Sequence, residues 1–250
     1  MRCAQILSTL ALLIACSGAA HAQNGCVRLS WGTCDPWVED RYYSGPTVYT
    51  LVESVFGVSA ANLGTDTWIR IFRLYEPGGI IGPLPDAWRF DDAGCQPGGQ
   101  LAISSNPFNK SCPAMKGANP SSAATYVINS DNTAYLRLMS SYDSFTPLPT
   151  TRYTVLQVIF DHTYSSPGPT PPDHSTCGGV DGCVNLLVER SDLIIASDQR
   201  LPLALCDQNP FKCWSVSWNG GCESPDQGGC ADPPVPTQMG TWGRVKSLYR

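Results

Sequence analysis

The chain has 250 residues and a formal charge of −5, with 23 glycines, 21 prolines and 12 cysteines. Only 15% of its residues are charged, which argues against a coiled coil and against a charge-rich disordered chain. The density of helix breakers and turn formers argues against a helical bundle. An acidic balance gives no electrostatic reason to expect a nucleic-acid ligand. The composition favours a disulfide-rich β protein with enough apolar residues for one core.

The first residues have the pattern of an export signal. Arg2 supplies a positive charge, and residues 6–14 are an apolar run. Residues 20–22 read Ala-His-Ala, the small-x-small pattern that signal peptidase prefers. We predict that residues 1–22 are removed and that the protein is secreted or displayed at the cell surface. The alternative is a lipoprotein signal in which Cys16 is lipidated, which predicts an outer-membrane anchor. A bilayer requires about 20 apolar residues, so no transmembrane helix is expected.

Short runs of β-forming residues, separated by turn clusters, predict an all-β fold. In chain order they cover residues 27–31, 47–56, 67–74, 100–104, 133–139, 153–162, 183–188 and 192–196. Residues 133–139 alternate between apolar and polar side chains, which predicts a half-exposed strand. Residues 153–162 are apolar on both faces, which predicts a central, buried strand. We therefore predict a single disulfide-stapled β-sandwich over residues 23–230, with long loops.

The last twenty residues differ in composition from the predicted domain. Residues 231–236 are a proline-rich spacer, and residues 237–250 are basic and aromatic, so we predict a linker and a flexible C-terminal tail. A disordered end, a sorting tag read by a secretion component and a direct membrane contact are the three interpretations of this tail. The residues that would carry the sorting function are Trp242, Arg244, Lys246, Tyr249 and Arg250.

Ten of the 12 cysteines lie beyond the predicted signal, an even number typical of exported disulfide-bonded proteins. Because short loops close at the least entropic cost, proximity predicts the pairs 26–34, 95–112, 177–183, 206–213 and 222–230. Their spacing does not fit a structural zinc site. The candidates are Cys26, Cys34, Cys95, Cys112, Cys177, Cys183, Cys206, Cys213, Cys222 and Cys230.

Several short motifs carry a resemblance to known proteins. They are the LSWxxC opening at residues 29–34, residues 84–95, the loop at residues 177–183 and the TWGxxKxxYR terminus at residues 241–250. The chain resembles a group of secreted bacterial β-sandwich proteins, and its strand rhythm is more loosely similar to cohesin-like and immunoglobulin-like sandwiches. The resemblance implies an exported β-sandwich and supplies no catalytic residues.

The sequence predicts no catalytic residues. It contains neither a Gly-x-Ser-x-Gly elbow nor a His-Glu-x-x-His motif, and His162 lies on the core face of a buried strand, where we expect a packed imidazole. His174, in a proline-rich loop, is expected to be solvated. A glycosidase-like hydrolase with paired carboxylates remains an alternative, since the sequence does not give distances between acids. No cofactor is predicted, with calcium at the acidic loops 91–92 and 178–182 as the alternative.

Aromatic residues give the predicted ligand surface. Trp214 and Trp218 would share one face of a strand, and exposed indole rings are platforms on which sugars stack. The alternative is that both rings cap the core. Trp37, Tyr42 and Tyr43 form a second candidate patch. We predict a non-enzymatic extracellular protein with a binding or structural role toward a polysaccharide or a cell-surface or secretion component, with a carbohydrate-binding module as the first alternative.

Overall fold

The computed structural model of the chain describes residues 24–75, 80–96, 99–105, 111–129, 133–196, 199–206 and 216–220. Within these ranges the backbone forms strands and loops, and Asp86–Trp88 form a 3-10 turn. The strands are β1 (Cys26–Trp31), β2 (Asp40–Arg41), β3 (Val48–Phe56), β4 (Asn62–Tyr75), β5 (Ile80–Gly82), β6 (Leu101–Ser104), β7 (Ser121–Ile128), β8 (Ala134–Phe145), β9 (Tyr153–Asp161), β10 (Ser165–Ser166), β11 (Cys177–Gly178), β12 (Val184–Ile194), β13 (Arg200–Pro202), β14 (Ala204–Leu205) and β15 (Val216–Trp218).

The two larger sheets pack face to face around the main core, which confirms the predicted β-sandwich, and β10 and β11 form a separate two-stranded sheet. The five-stranded sheet has the order β14-β1-β3-β9-β6. The eight-stranded sheet follows the path β2-β15-β12-β4-β8-β7, with β13 beside β12 and β5 beside β4. The long strands β3, β4, β8, β9 and β12 lie inside their sheets and supply most of the buried apolar side chains.

The strand β9 is buried along almost its whole length between β3 and β6, as its apolar character predicted. Residues 113–115 continue the ladder on the side of β9 away from β3, where the Met115 amide donates to the Thr154 carbonyl at 2.7 Å. Cys34, Val52 and Cys112 form a small buried cluster separate from the main core. The predicted half-exposed strand is also confirmed, because buried and half-buried residues alternate along the first half of β8.

Some strands differ from their predicted bounds. β12 is one continuous strand where the sequence predicts two, because Glu189 and the polar residues after it lie on an irregular part of the ladder rather than in a turn. β4 begins at Asn62, five residues before its predicted start. β7 is absent from the predicted strands, since its small, polar first half lacks the β-branched and aromatic residues on which the prediction depends.

The predicted pairing of neighbouring cysteines is wrong for the disulfides that the structure describes. These disulfides have sequence separations of 180, 78 and 82, because the fold rather than chain proximity brings their cysteines together. Cys183 is also disulfide-bonded but not to Cys177. The described bonds are Cys26–Cys206, Cys34–Cys112 and Cys95–Cys177.

Several predictions concern residues outside the described ranges. They include the signal at residues 1–22, the tail at residues 231–250, and Trp214. The predicted pairings of Cys213, Cys222 and Cys230 lie outside them as well. Within the described part of the chain, no helix has the length and apolar character needed to cross a bilayer.

Candidate functional site

The outer face of the eight-stranded sheet gathers charged and aromatic side chains near its centre. Successive side chains of a strand point to opposite faces. In β4 the fully buried Thr67 and Ile69 face the core, so Asp66, Trp68 and Arg70 face outward. This alternation places one aromatic and two charged side chains in the middle of the largest sheet.

The strand register places arginines of neighbouring strands beside the outward-facing residues of β4. Trp68 pairs with Arg137 of β8 on one side and with Arg190 of β12 on the other. Arg200 reaches the same area from β13, which pairs with the end of β12. Together they surround a cleft of about 420 Å³, which we call the arginine cleft. Its lining residues are Asp66, Trp68, Arg137, Glu189, Arg190 and Arg200.

Asp66 holds two of the arginines from below. Arg137 donates to both carboxylate oxygens, from Nε at 2.9 Å and from Nη2 at 2.8 Å, and Arg200 donates to Oδ2. The hydrogen bonds from Arg137 hold the pKa of the Asp66 carboxyl below its ordinary value, against the opposing effect of burial, and those from Arg200 add to the lowering. Asp66 is therefore a fixed anion under two guanidinium groups.

Two carboxylates, those of Asp66 and Asp192, lie beneath the arginines of the cleft, whereas Glu189 at the rim is 35% exposed. Asp192 accepts from Arg190 Nε at 2.5 Å, and its side chain is only 5% exposed while that of Arg190 is 60% exposed. The side chains of Arg137 and Arg200 are 33% and 37% exposed above Asp66. Around Asp66 and Asp192 an approaching ligand therefore meets mainly N–H donors, since these two carboxylates lie beneath the guanidinium groups.

The ring of Trp68 is already engaged by a cation. The Arg137 guanidinium lies 5.1 Å from the centroid of that indole ring, in cation–π geometry. A sugar could stack on this face only if Arg137 moved and its hydrogen bonds to Asp66 broke. The arrangement fits recognition through guanidinium groups better than stacking on an open aromatic platform.

We expect Asp66→Asn to destabilise the protein by about 2 kcal/mol at pH 7, since it removes the anion shared by two partly buried arginines. Because the folded pKa of Asp66 is lowered, its contribution is present above the unfolded pKa and is lost as the pH falls through the folded value. Urea unfolding at pH 7 and at pH 3 measures this, and the difference should shrink in acid. An equal difference at both pH values would contradict this electrostatic role.

Trp218, predicted to be an exposed platform, is fully buried, so that prediction is wrong for this residue. Its Nε1 donates to the Val180 carbonyl at 2.7 Å, and its ring lies 4.6 Å from the ring of Tyr49 and 5.4 Å from that of Trp88. Pairing of β15 with β12 turns this face of the strand into the core. Trp218 caps the core, as the alternative interpretation holds.

The second predicted patch is only partly exposed. Tyr42 is 61% exposed, whereas Trp37 and Tyr43 are half-buried. Trp37 donates from Nε1 to the Leu29 carbonyl at 3.0 Å, and the guanidinium of Arg28 lies 4.5 Å from its ring centroid. These residues are held by contacts within the domain, and their binding role stays a prediction.

His162 is a packed imidazole, as predicted. It is fully buried, its Nδ1 lies 2.9 Å from Ser165 Oγ, and its ring contacts those of Trp88 and Trp218. Burial lowers the pKa of His162 to about 4, so the ring is neutral at physiological pH. His174 lies in an exposed loop, as predicted for a solvated residue.

The acidic loops considered for calcium are occupied by other interactions. Asp91 accepts from Arg89 Nε at 2.7 Å, and Asp181 accepts from the Gly168 amide at 3.0 Å. Among the residues that the structure describes, no three His, Cys, Asp or Glu side chains converge in a way that could hold a metal ion. Calcium at these loops stays the alternative to the prediction of no cofactor.

The arginine cleft is not among the sites that the sequence predicts. The alternation within residues 133–139 places Arg137 on the exposed face of its strand, and this part of the site can be read from the sequence. The rest of the site depends on the strand register, which brings Trp68, Arg190 and Arg200 beside Arg137 from strands far apart in the chain. Such long-range pairing is not visible in a single sequence.

Neither a protein-family model nor a curated protein sequence matches the chain. Similar solved structures include two of the second type II cohesin module from the adaptor ScaA scaffoldin of Acetivibrio cellulolyticus. The one with a long C-terminal linker has 8% identity and a TM-score of 0.36, covering 71% of this chain and 82% of that chain. The other has 9% identity and a TM-score of 0.36, covering 74% and 92%. The likeness concerns the sandwich fold alone, and we take no function from it.

Proposed function

We propose that the protein is an exported, non-enzymatic binding protein whose ligand surface is the arginine cleft. The observation that carries this proposal is the arrangement of charge in the cleft, where three partly exposed guanidinium groups lie above the buried carboxylates of Asp66 and Asp192. Export is supported by the signal-like residues 1–22 and by disulfides, which form in oxidising compartments.

The chemistry of the cleft favours a protein partner that presents carboxylates. Guanidinium groups bind carboxylates through paired hydrogen bonds, and arginine and tryptophan are enriched at the centres of protein interfaces. Arg137 is fixed by its contacts with Asp66 and Trp68, so little side-chain freedom is lost when a ligand binds. Arg190 and Arg200, at the more exposed rim, are available to an approaching acidic segment.

The cleft is less suited to catalysis or to sugar stacking. Asp66 and Asp192 both accept hydrogen bonds from arginines, so their carboxylate oxygens are already engaged within the domain. The face of Trp68 is covered by Arg137. These contacts support binding by charge and hydrogen bonds over the carbohydrate-binding and hydrolase alternatives.

The test measures binding of a fluorescent poly-glutamate peptide to the secreted protein by anisotropy at low ionic strength. We expect saturable binding that weakens with salt, and about a tenfold loss of affinity in the double variant Arg190→Ala, Arg200→Ala. The matched control is Arg41→Ala, which removes an exposed arginine outside the cleft and should change affinity by less than about twofold.

Three outcomes would overturn the proposal. The first is that poly-glutamate does not bind even at low salt. The second is that Arg41→Ala weakens binding as much as the double variant, which would indicate a general charge effect. The third is that a neutral or acidic polysaccharide binds the wild-type protein while the peptide does not, which would favour the carbohydrate-binding alternative.

A further inference from the structure

The edges of the two sheets differ in how well they are protected. A strand at a sheet edge exposes unpaired N–H and C=O groups, and natural proteins limit this with very short edge strands, charges, proline or bulges. Among the described strands at the ends of the sheet paths, β2 and β14 have two residues each and β6 has four. β7 has eight residues and, among the strands that the structure describes, pairs only with β8.

β7 lacks charge, proline and a bulge, and its large half borders residues 90–92 and 99–101 across a cleft of about 430 Å³. Its sequence, SSAATYVI, contains no charged residue and no proline. It pairs with β8 over all eight positions without a register shift, so it is regular and has no bulge. The strand is fixed to the domain, since the Tyr126 hydroxyl donates to the Trp88 carbonyl. Val127 is 52% exposed on the same face of the sheet as Arg137.

The side chains of β7 change from small to large along the strand. Ser121, Ser122, Ala123 and Ala124 precede Thr125, and the large residues Tyr126, Val127 and Ile128 follow it. In an antiparallel pair of two identical strands, the large half of one strand lies against the small half of the other. An uncharged strand also meets no like-charge repulsion when it pairs with itself. Both features fit a second copy of this chain as the occupant of the edge.

We propose that β7 pairs antiparallel with β7 of a second copy, about a two-fold axis through Thr125. Residues that pair across the ladder point to the same face of the sheet. A two-fold axis perpendicular to the sheet must therefore pass between a residue and the same residue of the partner subunit. At Thr125 it places Ala124 against Tyr126 of the partner subunit and Ala123 against Val127 of the partner subunit. An axis through the neighbouring Ala124 would instead pair Ile128 with Pro120, which has no N–H to donate.

The pairing joins the two eight-stranded sheets into one continuous sheet with both outer faces on the same side. The two arginine clefts then face the same direction, so a partner with repeated acidic segments would meet two sites at once. This inference does not depend on the proposed function, because the edge is defined by backbone pairing and by β7 alone. A single strand pair is smaller than the roughly 1,200 Å² typical of stable interfaces, so we expect a weak, concentration-dependent dimer.

Sedimentation analysis of the secreted protein from about 1 to 300 μM tests the proposal, with dimer formation expected in the micromolar range. Thr125→Lys and Thr125→Glu each place like charges opposite each other at the axis and should leave only monomer. An equimolar mixture of the two variants should restore the dimer, because opposite charges then meet. The matched control is Ser144→Lys, which adds the same charge at an exposed position of β8 and should dimerise like the wild type.

A wild-type protein that stays monomeric throughout this range would overturn the proposal. So would dimerisation that Thr125→Lys leaves unchanged, and a mixture that fails to dimerise would overturn the two-fold register at Thr125. Thermal unfolding of each variant checks that the fold is intact. The double variant Arg190→Ala, Arg200→Ala leaves β7 unchanged and should dimerise like the wild type, so the failure of one proposal is distinguishable from that of the other.

Discussion

Replacing both Cys26 and Cys206 with serine is expected to lower the free energy of unfolding by about 5 kcal/mol, since their bond closes a loop of 180 residues. The effect comes mainly from the greater freedom of the unfolded chain once the constraint is removed. The bond also joins β1 to the residue after β14, a strand of only two residues whose parallel pairing with β1 supplies few hydrogen bonds. We therefore expect this edge of the five-stranded sheet to depend on the bond.

Guanidinium unfolding of the double variant and the wild type under oxidising conditions measures this loss. The matched control removes Cys34 and Cys112, whose separation of 78 predicts a slightly smaller loss of about 4.5 kcal/mol. A bond between Cys26 and its neighbour Cys34 would close a far shorter loop and stabilise by only about 2.5 kcal/mol. A loss near that smaller figure, or a non-reducing peptide map that joins Cys26 to Cys34, would contradict the described connectivity.

The cysteines show one limit of prediction from a single sequence. Loop-closure entropy is local and favours the nearest partner, whereas the fold decides which strands become neighbours. β1 and β14 lie at opposite ends of the chain, and their parallel pairing places Cys26 opposite Ala204 and brings Cys206 within reach. The strand order that causes this is set by the packing of the whole core, so spacing alone gave the wrong pairs.

The tryptophans show a second limit. Alternation correctly groups the residues that share one face of a strand, but it does not say whether that face meets solvent or the core. Pairing of β15 with β12 turns Trp218 inward. The strand at residues 153–162 was predictable because its two faces are both apolar, so either orientation required burial. For a strand with one apolar and one polar face, burial depends on which face meets the core, and the sequence of that strand alone does not give this.

The arginine cleft was missed for a related reason. Trp68 of β4 pairs with Arg137 of β8 and with Arg190 of β12. Three separate segments of the chain must therefore be in register before the cluster forms. Single-sequence reasoning placed Arg137 on an exposed face but had no way to find its neighbours. The exposed position of Arg137 could be predicted from the periodicity of its strand, whereas its neighbours could not be predicted because they depend on strand pairing.

A buried carboxyl in the core leads to the second large expected effect. Glu53 of β3 is 1% exposed, and its Oε1 lies 2.6 Å from Thr67 Oγ1, which in turn lies 2.7 Å from Ser191 Oγ. Its Oε2 is buried with no hydrogen-bond partner among the described residues. Burial raises the pKa of Glu53 to about 7, against the opposing hydrogen bond from Thr67 and with a further rise caused by the charge of Asp66.

This raised pKa makes the stability depend on pH in a defined direction. Between about pH 4.5 and pH 7 the folded protein holds a proton on Glu53 that the unfolded chain has released. The native state therefore loses stability as the pH rises through this window, and above it the full cost of a buried carboxylate remains. A shift of this size corresponds to about 3 kcal/mol.

We therefore expect Glu53→Gln to stabilise the protein by about 3 kcal/mol at pH 8 and to change its stability by less than about 1 kcal/mol at pH 5. The amide has the size of the protonated acid and carries no charge, so it retains a polar group near Thr67 without the cost of ionisation. Urea unfolding at the two pH values measures the effect. The opposing contribution of His162, whose pKa is lowered to about 4, is common to both proteins and cancels in the difference.

Glu189→Gln is the matched control, because it makes the same chemical change at a side chain that is 35% exposed on the outer face of the eight-stranded sheet. We expect its effect to stay within about 0.5 kcal/mol at both pH values. Destabilisation by Glu53→Gln at pH 8 would mean that the ionised carboxylate is stabilised in the folded state, which would contradict the raised pKa. Equal stabilisation at pH 5 and pH 8 would point to better packing of the amide, because ionisation of Glu53 cannot produce an effect that is independent of pH.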